Sequence, residues 1–169
     1  MLEFLRDRFR DLRNRIRSRR LWRFRPTGSQ ARQNGTMILT EIDHIAIAVR
    51  DLEAAIDYYQ RAFGAEVHHR EIVESDGVEE ALVKVAESYI QLTGSTRDDS
   101  PIAKFLERRG EGLHHIGYRV DDCAKALQAM IDAGATPIDT EPRPGSRNTT
   151  VAFVHPKGSF GTLIELVQE

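Results

Sequence analysis

Two imidazoles, an amide and a carboxylate stand out as the residues able to do chemistry: His44, Gln91, His115 and Glu165. Gln91 and Glu165 sit between apolar neighbours, and His44 and His115 each lead into a run rich in apolar residues. In a strand, successive side chains alternate faces, so Ile164 and Leu166 point to a core while Glu165 points the opposite way. Nitrogen and carboxylate donors together suit a borderline divalent cation that keeps positions open for a substrate. Taken singly, each has a plainer reading. His44 and Gln91 fit solvent-facing strand positions, and Glu165 fits a charge guarding an edge strand. The single cysteine, Cys123, excludes an internal disulfide and makes thiolate chemistry a poor fit.

An internal repeat joins the four. His44-Ile45-Ala46-Ile47-Ala48-Val49-Arg50-Asp51 returns 71 residues later as His115-Ile116-Gly117-Tyr118-Arg119-Val120-Asp121-Asp122. Ile90-Gln91-Leu92 returns after 74 residues as Ile164-Glu165-Leu166. Two matched ends at nearly equal offsets predict a duplicated strand–helix–three-strand unit, with modules at about 38–96 and 111–169. The fold class is therefore α+β. In the first module a strand over 42–49 leads to a helix capped by Asp51 and stopped by Gly64. Strands follow at 66–74, 78–86 and 88–93. Residues 98–110 read as a loop and short helix, and a further helix over 123–133 ends near Gly134. The repeat register selects His115 over its neighbour His114, because a one-residue slip reverses the face. His68, His69 and His155 have no repeat partners and read as surface or turn residues.

The formal net charge of -2 hides a split. Residues 1–36 carry eleven Arg against three acids, whereas residues 37–169 hold 13 basic and 23 acidic residues. An acidic body argues against a nucleic-acid surface, and no apolar run reaches the ~18 residues of a membrane-spanning helix. In the first segment Leu5, Phe9, Leu12 and Ile16 recur at helical spacing, and Pro26, Gly28, Ser29 and Gly35 mark a linker. A membrane-surface helix, a nucleic-acid arm and an organelle presequence are the functional readings. The plainer one, adopted here, is an Arg-rich extension, helical or disordered, ahead of a domain at 37–169.

The opening phrase Ile42-Asp43-His44-Ile45-Ala46-Ile47-Ala48-Val49 resembles the vicinal oxygen chelate superfamily. Longer phrases resemble its methylmalonyl-CoA epimerase family: Ser100-Pro101-Ile102-Ala103-Lys104-Phe105-Leu106, Gly110-Glu111-Gly112-Leu113-His114-His115-Ile116, Glu141-Pro142-Arg143-Pro144-Gly145, His155-Pro156-Lys157 and Leu163-Ile164-Glu165-Leu166-Val167-Gln168. The likeness covers about residues 38–168. It implies a curved mixed sheet around a divalent ion (cobalt, manganese, nickel or zinc) held by His44, Gln91, His115 and Glu165. It further implies epimerisation of a small-molecule CoA thioester, methylmalonyl-CoA, through a metal-stabilised enolate, in a homodimer. Glu80, in Gly77-Val78-Glu79-Glu80, matches the family's acid/base glutamate, and Glu165 is the family's partner for the opposite face. Arg143, Arg147 and Lys157, together with Lys104, lie on loops or turns where they could meet CoA phosphates. The Pro142–Gly145 turn and the run Ser146-Arg147-Asn148 suit a flap. A glyoxalase I-type lyase and a non-catalytic binding member of the scaffold are the alternatives. The expected compartment is the cytoplasm, or the mitochondrial matrix if residues 1–36 are a presequence.

Overall fold

The computed structural model describes residues 38–169. The helical pattern and linker read over residues 1–36 lie outside the described residues. The first module runs β1 (Leu39–Ala48), α1 (Leu52–Phe63), β2 (Val67–Val73), β3 (Val78–Val85) and β4 (Ser88–Ser95). A connecting helix, α2 (Pro101–Arg109), leads to the second module: β5 (Gly112–Val120), α3 (Cys123–Asp132), β6 (Arg143–Pro144), β7 (Thr150–Val154) and β8 (Leu163–Gln168).

Local chemistry sets the helix ends. The Asp51 carboxylate accepts the Ala54 N–H, and Gly64 leaves α1 at φ 64°, a left-handed stop that suits a residue without Cβ. Ser100 and Asp122 cap α2 and α3 in the same way. The helices bury one face each. Leu52 and Ile56 of α1 pack on Ala81, Val83 and Leu92, while Ala126 and Leu127 of α3 pack on Ala152, Val154 and Leu166. Ile102 and Leu106 of α2 pack on Ala48 and Val78. Among the described residues no helix is long and apolar enough to cross a membrane.

All eight strands join one sheet in the order β2-β3-β4-β1-β5-β8-β7-β6. The order is a near-mirror: each module contributes its first strand to the centre, where β1 and β5 run antiparallel. Within each module the first and last strands pair parallel, β1 with β4 and β5 with β8. The duplicated unit is thus present, with one inequality. β2 spans seven residues, whereas its counterpart β6 spans two. Pro137, Pro142 and Pro144 fall in that stretch, and proline supplies no N–H for a ladder.

The central pairing is irregular in a useful way. Ile42 pairs with Tyr118 but His44 with Gly117, leaving Asp43 as an extra residue on β1. Ala46 pairs with His115 but Ile47 with Leu113, leaving His114 extra on β5. Such bulges re-aim side chains next to functional sites.

Candidate functional site

Cross-strand register brings three residues together. His44 on β1 and Glu165 on β8 are both opposite Gly117 of β5, and His115 lies two residues before that glycine. A Cβ at position 117 would collide with the His44 ring, approaching Nδ1 to 2.6 Å, so the bare backbone there makes room for the imidazole. The result is a buried triangle. His44 Nε2 lies 2.9 Å from His115 Nε2 and 2.9 Å from Glu165 Oε2, and His115 Nε2 lies 3.0 Å from the same oxygen. Among the described residues this is the one cluster of three His, Cys, Asp or Glu ligand atoms close enough to share an ion.

The triangle fits a divalent cation. Two ligand atoms at about 2.1 Å on adjacent octahedral vertices stand about 3.0 Å apart, the edge length found here. The donor set is two imidazole nitrogens and a carboxylate oxygen, the mixture that borderline metals accept. Gln91, on β4, lines the same cleft and carries a buried Oε1 with no hydrogen-bond partner. Its Nε2 donates to Glu80 Oε2 at 2.5 Å, so the amide is turned to leave its oxygen free.

Both histidines are held from behind by the extra residue of a bulge. The His44 Nδ1–H donates to Asp43 Oδ1 at 2.8 Å, and His115 Nδ1 pairs with His114 Nδ1 at 2.8 Å. This leaves both Nε2 atoms pointing inward, the orientation that backing partners impose on metal-binding imidazoles. Repeat register alone set His114 on the wrong face. The bulge brings it to the cleft wall, and its signal in the sequence was the doubled histidine.

Charge is steeply graded across the cluster. Burial pushes the Asp43 carboxyl up, but the His44 hydrogen bond and the Arg147 charge bring its pKa down to about 2. Burial opposes a charged His44, yet hydrogen bonds to Asp43 and Glu165 raise it to about 9. Burial lowers His115, and burial with the neighbouring His115 lowers His114 to about 4. Burial would raise Glu165 as well, but the two imidazoles hold its carboxyl far below the usual range. Glu80 goes the other way. Burial raises it, the Glu165 charge adds to the rise, and the nearby Ser146 hydroxyl and Gln91 amide only partly offset both. Its Oε1 is buried without a hydrogen-bond partner.

Glu80, Gln91, His115 and Glu165 share one cleft of about 200 Å³, walled by Ile102, Ile138, Val151 and Phe153. That room suits a small acyl group. Of the cationic residues read as phosphate contacts, Arg143 lines the cleft, but Asp76 holds it at 3.1 Å and Asp139 at 3.5 Å. Arg147 points away from the cleft, onto Asp43 at 2.6 Å. Lys157 is exposed on a turn and lines neither the cleft nor the groove beside it. Lys104 lines that groove with Arg108 and Arg109, and the groove meets the cleft at Pro101, His114 and Leu163. The two arginines were missed because they sit at the end of a helix, where basic residues usually serve the dipole.

Known proteins carry the same pattern. The sequence model of the Glyoxalase/Bleomycin resistance protein/Dioxygenase superfamily matches residues 43–153. An ethylmalonyl-CoA/methylmalonyl-CoA epimerase of Cereibacter sphaeroides is 38% identical, over 78% of this chain and 99% of its own length. The mitochondrial methylmalonyl-CoA epimerase of Homo sapiens is 34% identical over 77% of this chain and 74% of its own. A solved methylmalonyl-CoA epimerase in complex with methylmalonyl-CoA and NH4+ superposes with a TM-score of 0.75 at 41% identity, covering 78% of this chain and 95% of that one. The chain belongs to the glyoxalase/bleomycin resistance/dioxygenase superfamily and, within it, to the methylmalonyl-CoA epimerase family of enzymes.

Proposed function

We infer that this chain interconverts the two epimers of methylmalonyl-CoA by moving a proton at the carbon between the carboxylate and the thioester. The observation that carries the reading is the pair of buried carboxylates in one acyl-sized cleft, with opposite electrostatic settings. Epimerisation requires a proton to leave one face of a carbon and arrive on the other. Glu80, with its raised pKa and a free oxygen, takes the proton from one face. The Glu165 side approaches the other, although a carboxylate gripped by two imidazoles is the weaker base. His44, His115 and Glu165, joined by the Gln91 amide oxygen, would hold a divalent cation, which when bound supplies Lewis-acid stabilisation for negative charge on the thioester oxygen. His114 and Asp43 keep the two imidazoles oriented. The apolar walls exclude water, and the Lys104, Arg108 and Arg109 groove offers cations to a CoA phosphate tail.

Two further points support this reading: the epimerase relatives and the substrate in one related structure. The activity resides in residues 37–169, with residues 1–36 an appendage, and the compartment is the cytoplasm. The direct test is conversion of one methylmalonyl-CoA epimer to the other, followed by a stereospecific coupling enzyme. Turnover of a glutathione hemithioacetal with no epimer conversion would instead assign the chain to the glyoxalase I reaction.

A further inference from the structure

Arg147 occupies the turn Ser146–Asn148, where φ is +55° at Arg147 and +56° at Asn148. Two successive non-glycine residues in the left-handed region persist only when their surroundings hold them there. Four contacts hold this one, the loosest an ion pair of Nη1 with Glu169 Oε1 at 3.9 Å. The Arg147 backbone N–H donates to Glu71 Oε2 at 2.9 Å, Nη2 donates to Asp43 Oδ1 at 2.6 Å, and the guanidinium lies 5.2 Å from the Tyr89 ring centroid. Asp43 Oδ1 is the same oxygen that receives the His44 Nδ1–H. Asp43 itself is fully buried, and its other oxygen takes Arg119 Nη2 at 3.0 Å. One residue before Arg147, Ser146 forms the cleft wall beside Glu80.

One side chain therefore ties the cleft wall to the back of a ligand histidine. We propose that Arg147 is a positioning residue that fixes the His44 imidazole through Asp43 and seats the Ser146 wall against Glu80, rather than a contact for CoA phosphate. A phosphate contact needs a free guanidinium at the mouth of the site. This one is 16% exposed, engaged by a buried carboxylate and outside the cleft lining. Without it, Asp43 keeps its charge but loses its shortest partner, and the turn loses the anchor that sustains its backbone.

The test uses the full chain with Arg147→Gln and Arg147→Lys, reading Co²⁺ affinity by calorimetric titration and steady-state kinetics on methylmalonyl-CoA. Loss of a partner behind a ligand histidine weakens metal binding by roughly 10–100-fold, and Arg147→Gln is expected in that range with a lowered kcat and an unchanged KM. Arg147→Lys, which keeps one charged donor toward Asp43, should recover most of the affinity and guards against a glutamine variant that fails to fold. In an Asp43→Asn background the same Arg147 substitution should add little. Parent-like Co²⁺ affinity in Arg147→Gln, with the whole effect in KM, would overturn the proposal. The kinetic arm rests on the epimerase reading. The Co²⁺ arm does not, so failure of one is distinguishable from failure of the other.

Discussion

Glu80 and Glu165 carry the same functional group in opposite electrostatic settings. Two imidazoles draw the Glu165 carboxyl far down, whereas burial and the Glu165 charge push Glu80 up. A base is useful when its pKa approaches the working pH, so Glu80 is the group to test first. Glu80→Gln should retain metal and lose about 100-fold or more in kcat/KM, the scale of a lost acid–base group. The parent's rate should fall as pH drops through the Glu80 pKa, and the glutamine variant should lack that limb. His44 makes a second prediction at this scale. Its folded pKa of about 9 lies above the unfolded 6.5. The metal-free protein therefore keeps the full contribution below pH 6.5 and loses it as pH rises through about 9, a change on the order of 3 kcal/mol. Urea titrations at pH 6 and pH 9.5 read this directly. Bound metal should remove the slope, because a ligating imidazole is already neutral.

Elements decide which of these residues meet. Alternation between apolar neighbours made Gln91 and Glu165 legible in the sequence, because period-two patterning states a face, and the repeat made His44 and His115 legible with them. Asp43 and His114 were illegible for the same reason. A bulge breaks the period with no more sign in the sequence than the doubled histidine at 114 and 115, and both residues reach His44 and His115 because each is the extra residue of a bulge. The turn of Arg147 onto Asp43 was illegible because a loop position says nothing about which way a long side chain turns. The short β6 was foreshadowed by its prolines, yet their consequence for pairing emerged only in the sheet. Helix α2 closes one end of the cleft through Ile102, and its start depends on Ser100, which is fully buried, accepts the Ala103 N–H at 3.0 Å and meets Ser95 Oγ at 2.7 Å. Ser100→Ala should cost about 1–2 kcal/mol in urea unfolding, the upper range for a lost cap.

At the scale of the whole molecule, duplication yields a centre that neither half owns. The first module supplies His44, Glu80 and Gln91, the second His115 and Glu165, and the antiparallel β1–β5 seam sets them face to face. The repeat announces this arrangement, since matched offsets imply matched places in a sheet. Truncation to residues 37–169 should therefore leave kcat and metal content unchanged, checked by elemental analysis and turnover on the same preparation. The central claim is that Glu80 moves the α-proton while a cation held by His44, His115 and Glu165 stabilises the resulting charge. Deuterium uptake from D2O at the α-carbon of methylmalonyl-CoA, followed by mass spectrometry, measures that step alone. The account predicts uptake that stops when a chelator strips the metal, returns with Co²⁺, and falls about 100-fold or more in Glu80→Gln. Uptake that survives chelation, or runs at the parent rate without the Glu80 carboxylate, would contradict it.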